Sequence, residues 1–232
     1  MSSRYQQSRP SPAPRAVTTP KTKPLGRLTA ERIILAAVEF VDREGLDKLT
    51  TRALAKDLDV EAMALYYYFK SKDALLDAIT DWLERQAGAR DTSGDWRARL
   101  HTMATAQITT ALAHPRLAPL MASRRGRTDA VFANNEMALQ CLKDAGLESI
   151  ERVIWLQIYA AQVNGLALYF SAARTPPAEP PEIDSIHFPL VVEAIPVMRR
   201  LEPQDVVRTG LETLIDGIEK AAKQASSSAA LA

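Results

Sequence analysis

The residues best suited to chemistry lie between Leu49 and Lys72, in the run LTTRALAKDLDVEAMALYYYFKSK. Thr50, Thr51 and Arg52 stand together where a helix should begin. Hydroxyls, backbone amides and a guanidinium at a helix start form a clamp for a phosphate group. Lys70 and Lys72 flank the start of a later helix and offer the same chemistry on the other side. Between them come Tyr66, Tyr67 and Tyr68. Successive helical residues point about 100° apart, so the three cannot all face a core, and at least one phenol is left to reach a phosphate. This is the chemistry of holding a polyanion.

Signs of catalysis are missing. The chain has no nucleophile elbow, paired-acid site, phosphate loop or dinucleotide fingerprint, and His101, His114 and His187 lie far apart in sequence. The reading is that it is not an enzyme and needs no cofactor. The single cysteine, Cys141, excludes an intrachain disulfide and fits a reducing cytoplasm. With no CxxC or His/Cys cluster, no metal site is expected. Residues 1–30 carry six basic side chains and no acid, although the chain as a whole has a net charge of +1. A basic end on a mildly acidic body suits a polyanion partner, and serves equally as a solubilising tail.

The elements that must position these residues are all helical, since no stretch alternates apolar and polar residues for long. Residues 1–25 hold five of the fourteen prolines and form a disordered, basic tail. A helix should start at Thr29, turn Ile33, Ala37, Phe40 and Val41 inward, and stop at Gly45. Two short helices follow, about 51–58 and 61–69, separated by Asp59, Val60 and Glu61. Leu54, Leu58, Val60 and Leu65 can pack them crossed against the first helix. That is a helix-turn-helix, whose second helix enters the major groove of DNA; a purely structural bundle has the same pattern. A connecting helix starts at Ser71 and closes this domain at 26–87.

A larger helical domain is expected over 95–223, with helices at 96–113, from Pro115 to Met121, about 128–144, 148–172, 187–200 and 203–222, and a frayed tail over 224–232. Val153 to Phe170 is uncharged, but Gln157, Gln162 and Asn164 interrupt it, so it reads as a buried helix and not a membrane span. One stripe of that helix, Ile154, Ile158, Ala161, Gly165 and Leu168, is apolar and small. Gly210, Leu211, Leu214, Gly217 and Ile218 make a similar stripe in the last helix. Each fits a dimer interface or ordinary core; paired with their symmetry mates, they would give a four-helix interface. His101, Met103, Gln107, Met121, Phe132, Gln140, Trp155, Gln157, Tyr159, Gln162 and Asn164 mix aromatic, thioether and amide surface, the lining of a small-molecule pocket.

The segment Leu49–Lys72 resembles the DNA-binding region of the TetR family, in Thr-Thr-Arg-x-Leu-Ala from Thr50, in the Leu-Tyr-x-x-x close from Leu65, and in Lys-x-Ala-Leu-Leu-Asp from Lys72. The likeness is strongest over about residues 28–83. Trp82, Trp96 and the pattern from Gly210 to Gly217 extend it toward the tetracycline repressor subgroup. The resemblance implies a repressor that binds a palindromic double-stranded operator as a homodimer, with Thr51 and Arg52 contacting DNA from the second helix. It implies that Ala62, Met63 and Ala64 face the bases, and that Tyr66, Tyr67, Tyr68 and Lys72 contact phosphates. Asp59 stands where the family has a glycine, and tolerates a left-handed turn. Ala62, Met63 and Ala64 cannot hydrogen-bond base edges, which leaves thymine methyls to them, a guanine to Arg52, and DNA shape for the rest.

The resemblance also implies an inducer bound in the C-terminal half. Tetracycline repressors hold a magnesium complex through a histidine just before the helix at about 128–144; here that place is Ser123-Arg124-Arg125. The expectation is therefore an uncharged or weakly anionic, partly aromatic compound rather than a tetracycline–magnesium complex. The rival reading is a helical protein-interaction module without sequence-specific DNA binding.

Overall fold

A computed structural model of the chain describes residues 27–88, 93–124, 126–172 and 183–229. The tail expected over 1–25 lies outside these. The described residues form ten α-helices and no strand: α1 (Ala30–Glu44), α2 (Thr51–Asp57), α3 (Ala62–Tyr68), α4 (Lys72–Ala87), α5 (Trp96–Ala113), α6 (Ala118–Ser123), α7 (Asp129–Asp144), α8 (Ser149–Ala172), α9 (Pro189–Met198) and α10 (Pro203–Ala229).

Local chemistry sets many of the boundaries. Thr29, Thr50, Ser71, Asp95 and Thr128 each cap a helix by accepting a hydrogen bond from the amide three residues on. Gly45 ends α1 at φ +101°, and Gly146 takes φ +96° just beyond α7. Two expectations need correction. Pro115 does not open the sixth helix: the amides of Leu117 and Ala118 both turn back to the His114 carbonyl, and α6 starts at Ala118 with Pro119 in its first turn. Nor are residues 224–229 frayed, because α10 continues through Ala229. Ala, Lys and Gln propagate a helix that is already nucleated and packed.

Ile33, Ala37 and Val41 of α1, Leu49, Leu54 of α2, Leu65 of α3 and Ile79 of α4 form the buried centre of the first domain. The second domain packs α8 against α5, α6, α7 and α10. Helix α4 belongs to both domains. It packs on α1 and also on α5, α6 and α7, and its later residues Leu83 and Ala87 are buried. A second tie holds the end of α5 to the first domain: His114 Nδ1 lies 2.7 Å from Asp42 Oδ2, and its ring meets that of Trp82 edge-on.

Candidate nucleic-acid interface and ligand cavity

The turn between α2 and α3 is tight, with Leu58, Asp59, Val60 and Glu61 between the two helices. Asp59 takes φ +54°, the only positive φ at a non-glycine among the described residues. The Val60 amide then reaches back to the Ala55 carbonyl at 3.0 Å, which crosses the two short helices. Asp is among the few non-glycine residues that tolerate this conformation, so the turn survives without its glycine.

Exposed cations come before and after that turn in the chain. Arg52, Lys70 and Lys72 are exposed, and none of them has an ion-pair partner among the described residues. Lys70 Nζ lies 6.0 Å from the centre of the Tyr67 ring. Met63 and Tyr67 are the most open side chains of α3, at 75% and 76% exposure. Ala62 and Ala64 are half-buried, Tyr66 is exposed, and Thr51 is half-buried at the start of α2. Thr50 Oγ1 accepts from the Ala53 amide at 3.1 Å as the α2 cap, leaving its proton free to donate. Tyr68 is a correction. Its hydroxyl donates to the Leu28 carbonyl at 2.6 Å. A phosphate only accepts, so this phenol, already committed as a donor, fastens the chain before α1 to the end of α3.

In the second domain a cavity of about 450 Å³ opens between α4, α5, α6, α7 and α8. Of the residues expected there, Met103, Gln107, Met121, Gln157, Tyr159 and Asn164 line it. The others lie elsewhere. His101 lines a separate groove between α5 and the start of α10. Phe132 is 56% exposed. Gln140 donates to Asp144 at 2.7 Å. The Trp155 ring lies against Gly217, and Gln162 donates to the Gly210 carbonyl at 2.6 Å, so both face α10. The cavity face of α8 is Leu156, Gln157, Tyr159, Ala160 and Asn164, which keeps three of the residues expected from that helix and excludes Trp155 and Gln162.

Three polar lining residues were not foreseen: Glu84, Asn134 and Asn135. Asn134 Nδ2 donates to Glu84 Oε2 at 2.9 Å. Burial pushes the Glu84 carboxyl above its ordinary pKa, the Asn134 hydrogen bond opposes that, and the charge of Asp81 adds to it. A signal was there in the sequence. Asp73, Asp77, Asp81 and Glu84 follow one another at spacings of four, four and three, an acidic stripe along α4. Each is used in the fold. Arg124 and Arg127 bridge Asp73 and Asp77 at 2.6–3.0 Å. The Arg127 hydrogen bond, opposed by burial and joined by Arg124, holds the Asp77 carboxyl below its usual range. Asp81 accepts from the Ala130 amide at 3.0 Å.

The stripe proposed for dimerisation divides. Ile154, Ile158, Ala161 and Gly165 of α8 are exposed, while Leu168 is half-buried on the core. The α10 stripe is a correction, because it is filled from within the chain. Leu211, Leu214 and Ile218 are at most 4% exposed. A Cβ on Gly210 would lie 3.2 Å from Gln162, and one on Gly217 would lie 3.1 Å from Trp155. A feature not foreseen is α9, whose Leu190, Val191, Val192, Val197 and Met198 are all exposed.

A helix-turn-helix with exposed cations, joined by one long helix to an all-helical domain with a partly open cavity, defines a DNA-binding regulator of the ligand-responsive class. Comparison with known proteins agrees. Residues 33–79 match the bacterial regulatory proteins of the tetR family, and residues 89–222 the tetracyclin repressor-like C-terminal domain. The chain belongs to the TetR family of transcriptional regulators. The HTH-type transcriptional repressor DrrR1 of Streptomyces coeruleorubidus is 29% identical over 217 residues, which cover 86% of this chain and 80% of that protein. The class E tetracycline repressor protein of Escherichia coli is 28% identical over 201 residues, 83% of this chain and 92% of that one. A solved structure of a possible TetR family transcriptional regulator from Streptomyces coelicolor A3(2) has a TM-score of 0.73 at 27% identity, covering 83% of this chain and 100% of that one. The protein is a DNA-binding transcriptional regulator and not an enzyme.

Proposed function

We propose that the chain is a cytoplasmic repressor that binds a palindromic operator as a homodimer and leaves it when a small molecule fills the cavity. Residues 26–87 read DNA, and residues 95–223 sense the effector and dimerise. The observation that carries the DNA reading is that Arg52, Lys70 and Lys72, which bracket α3 in the chain, are exposed and without ion pairs among the described residues, while Met63 and Tyr67 of α3 stand open. A protein-interaction module would have no use for unpaired cations at two helix starts.

Dimerisation is supported by the exposed apolar side chains of α8 and α9, Ile154, Ile158, Leu190 and Val197 among them, since exposed apolar patches mark interaction sites. A dimer also makes the DNA reading effective, since two recognition helices held about one turn apart read a palindrome. The coupling element is α4. Its first half is clamped by Arg124 and Arg127, two residues before and one after Gly126 of the cavity wall, and its second half carries Glu84 into the cavity. A ligand in contact with Glu84 therefore acts on the helix that aims the recognition helix, and shifts the population toward a mis-spaced dimer.

The test is Arg52→Ala on an operator recovered by genomic DNA pull-down. Operator affinity should fall about ten- to a hundredfold, as for a lost base-reading or phosphate-clamping arginine. The dimer should remain intact by sedimentation. Wild-type affinity should fall steeply with salt. Normal operator binding by Arg52→Ala would place the DNA face elsewhere.

A further inference from the structure

We infer that the cavity takes a ligand bearing a protonated amine, with Glu84 as its counter-charge. This rests on reading the cavity as the effector site. Glu84 is 5% exposed and lines the cavity. Its one side-chain partner among the described residues is the neutral amide of Asn134, at 2.9 Å. Arg85, the adjacent guanidinium, is turned to Asp81 at 2.7 Å. Among the described residues no Lys, Arg or His lines the cavity, so none of them supplies this carboxyl with a cation. A buried carboxyl without a counter-ion costs folding free energy, and groups held at such a cost cluster at functional sites.

The ligand chemistry follows from what would relieve that cost. An ammonium returns the Coulomb energy and donates to the free carboxylate oxygen. Gln107, Asn135 and Gln157 make no side-chain hydrogen bond among the described residues, and their amide oxygens can accept the remaining N–H groups. Met103 and the Tyr159 ring offer apolar surface to the rest of the molecule. An anion would meet the like charge of Glu84 and no cation among the described lining residues, which argues against the weakly anionic expectation drawn from the sequence. A hard metal ion needs several oxygen ligands, and no group of three candidate metal-ligating residues exists among the described residues. The volume suits a single drug-sized molecule.

The experiment uses three fluorescent probes of one scaffold on the full-length protein: dansylcadaverine, its N-acetyl derivative, and dansyl-6-aminohexanoic acid. They carry charges of +1, 0 and −1. The cationic probe should bind at least tenfold more tightly than either of the others. Glu84→Gln, nearly isosteric and neutral, should erase that preference, and Glu84→Asp should restore part of it. Equal binding of the three probes, failure of the cationic probe to bind at millimolar concentration, or a preference that survives Glu84→Gln would overturn the inference. Operator binding is measured in the same samples. A cationic preference with the operator complex unaffected by saturating probe removes the effector reading and leaves the amine site standing. Release of the operator by a neutral compound alone removes the amine site and leaves the effector reading.

Discussion

Among the described residues, no atom beyond the local backbone of α8 comes within 4 Å of the point where a Cβ would stand on Gly165, whereas the same point on Gly217 of α10 has the Trp155 ring at 3.1 Å. The two glycines belong to stripes that look alike on paper, both small and apolar at helical spacing. In α10 the small residues admit large neighbours from the same chain: Trp155 sits on Gly217, and Gln162 and Leu166 sit on Gly210. In α8 the small residues leave a face uncovered between Ile154, Ile158 and the exposed Tyr169. A small-residue stripe thus records close approach by something, and only the packing tells whether that something is the chain itself or a second copy.

The largest effect expected from this contrast is on α10. Ile218 is completely buried, so Ile218→Ala should cost about 2–5 kcal/mol of protomer stability. Urea unfolding measures it. A cost below about 1 kcal/mol would mean that the α10 stripe is not core, and the contrast with α8 would collapse.

On α8 the expected loss is of assembly and not of folding. Ile158 is 41% exposed in the protomer, so Ile158→Glu should change protomer stability by no more than about 0.5 kcal/mol. A charge at the middle of an apolar interface should weaken the dimer at least tenfold, an effect on the scale of about 1–2 kcal/mol. Analytical ultracentrifugation over a dilution series reads the dissociation constant. An unchanged constant would move the interface to α9 alone.

These two outcomes bear on how far the sequence could be read. The helix-turn-helix was legible almost to the residue, because its signals are local. Thr29, Thr50 and Ser71 cap through their own hydroxyls, and Asp59 carries the left-handed turn on its own backbone. Tyr68 escaped because its partner, the Leu28 carbonyl, is forty residues away. The cavity was half legible for a similar reason. Periodicity shows that α8 is apolar nearly all round, but it cannot assign four directions to α5, α10, cavity and solvent. Trp155 and Gln162 were therefore placed one face off. Glu84 was passed over because a charged residue on a connecting helix reads as solvated, and only the fold puts Asn134 beside it.

The smallest effect separates the two stripes most directly. Replacing a helix-interior glycine by alanine gains about 0.5–1 kcal/mol through reduced backbone entropy in the unfolded chain. Gly165→Ala has open space in the protomer and should realise that gain; Gly217→Ala must push the Trp155 ring by a few tenths of an ångström, and should realise less. Both variants are compared in the Ile158→Glu background, where dissociation of a dimer does not mix with unfolding. In the otherwise native chain, Gly165→Ala should weaken self-association if a second helix crosses closest there, and Gly217→Ala should not. A Gly165→Ala protein that is stabilised and dimerises as before would show that the second copy meets α8 at the isoleucines and not at the glycine. Loss of dimer from Gly217→Ala would put α10 back at the interface.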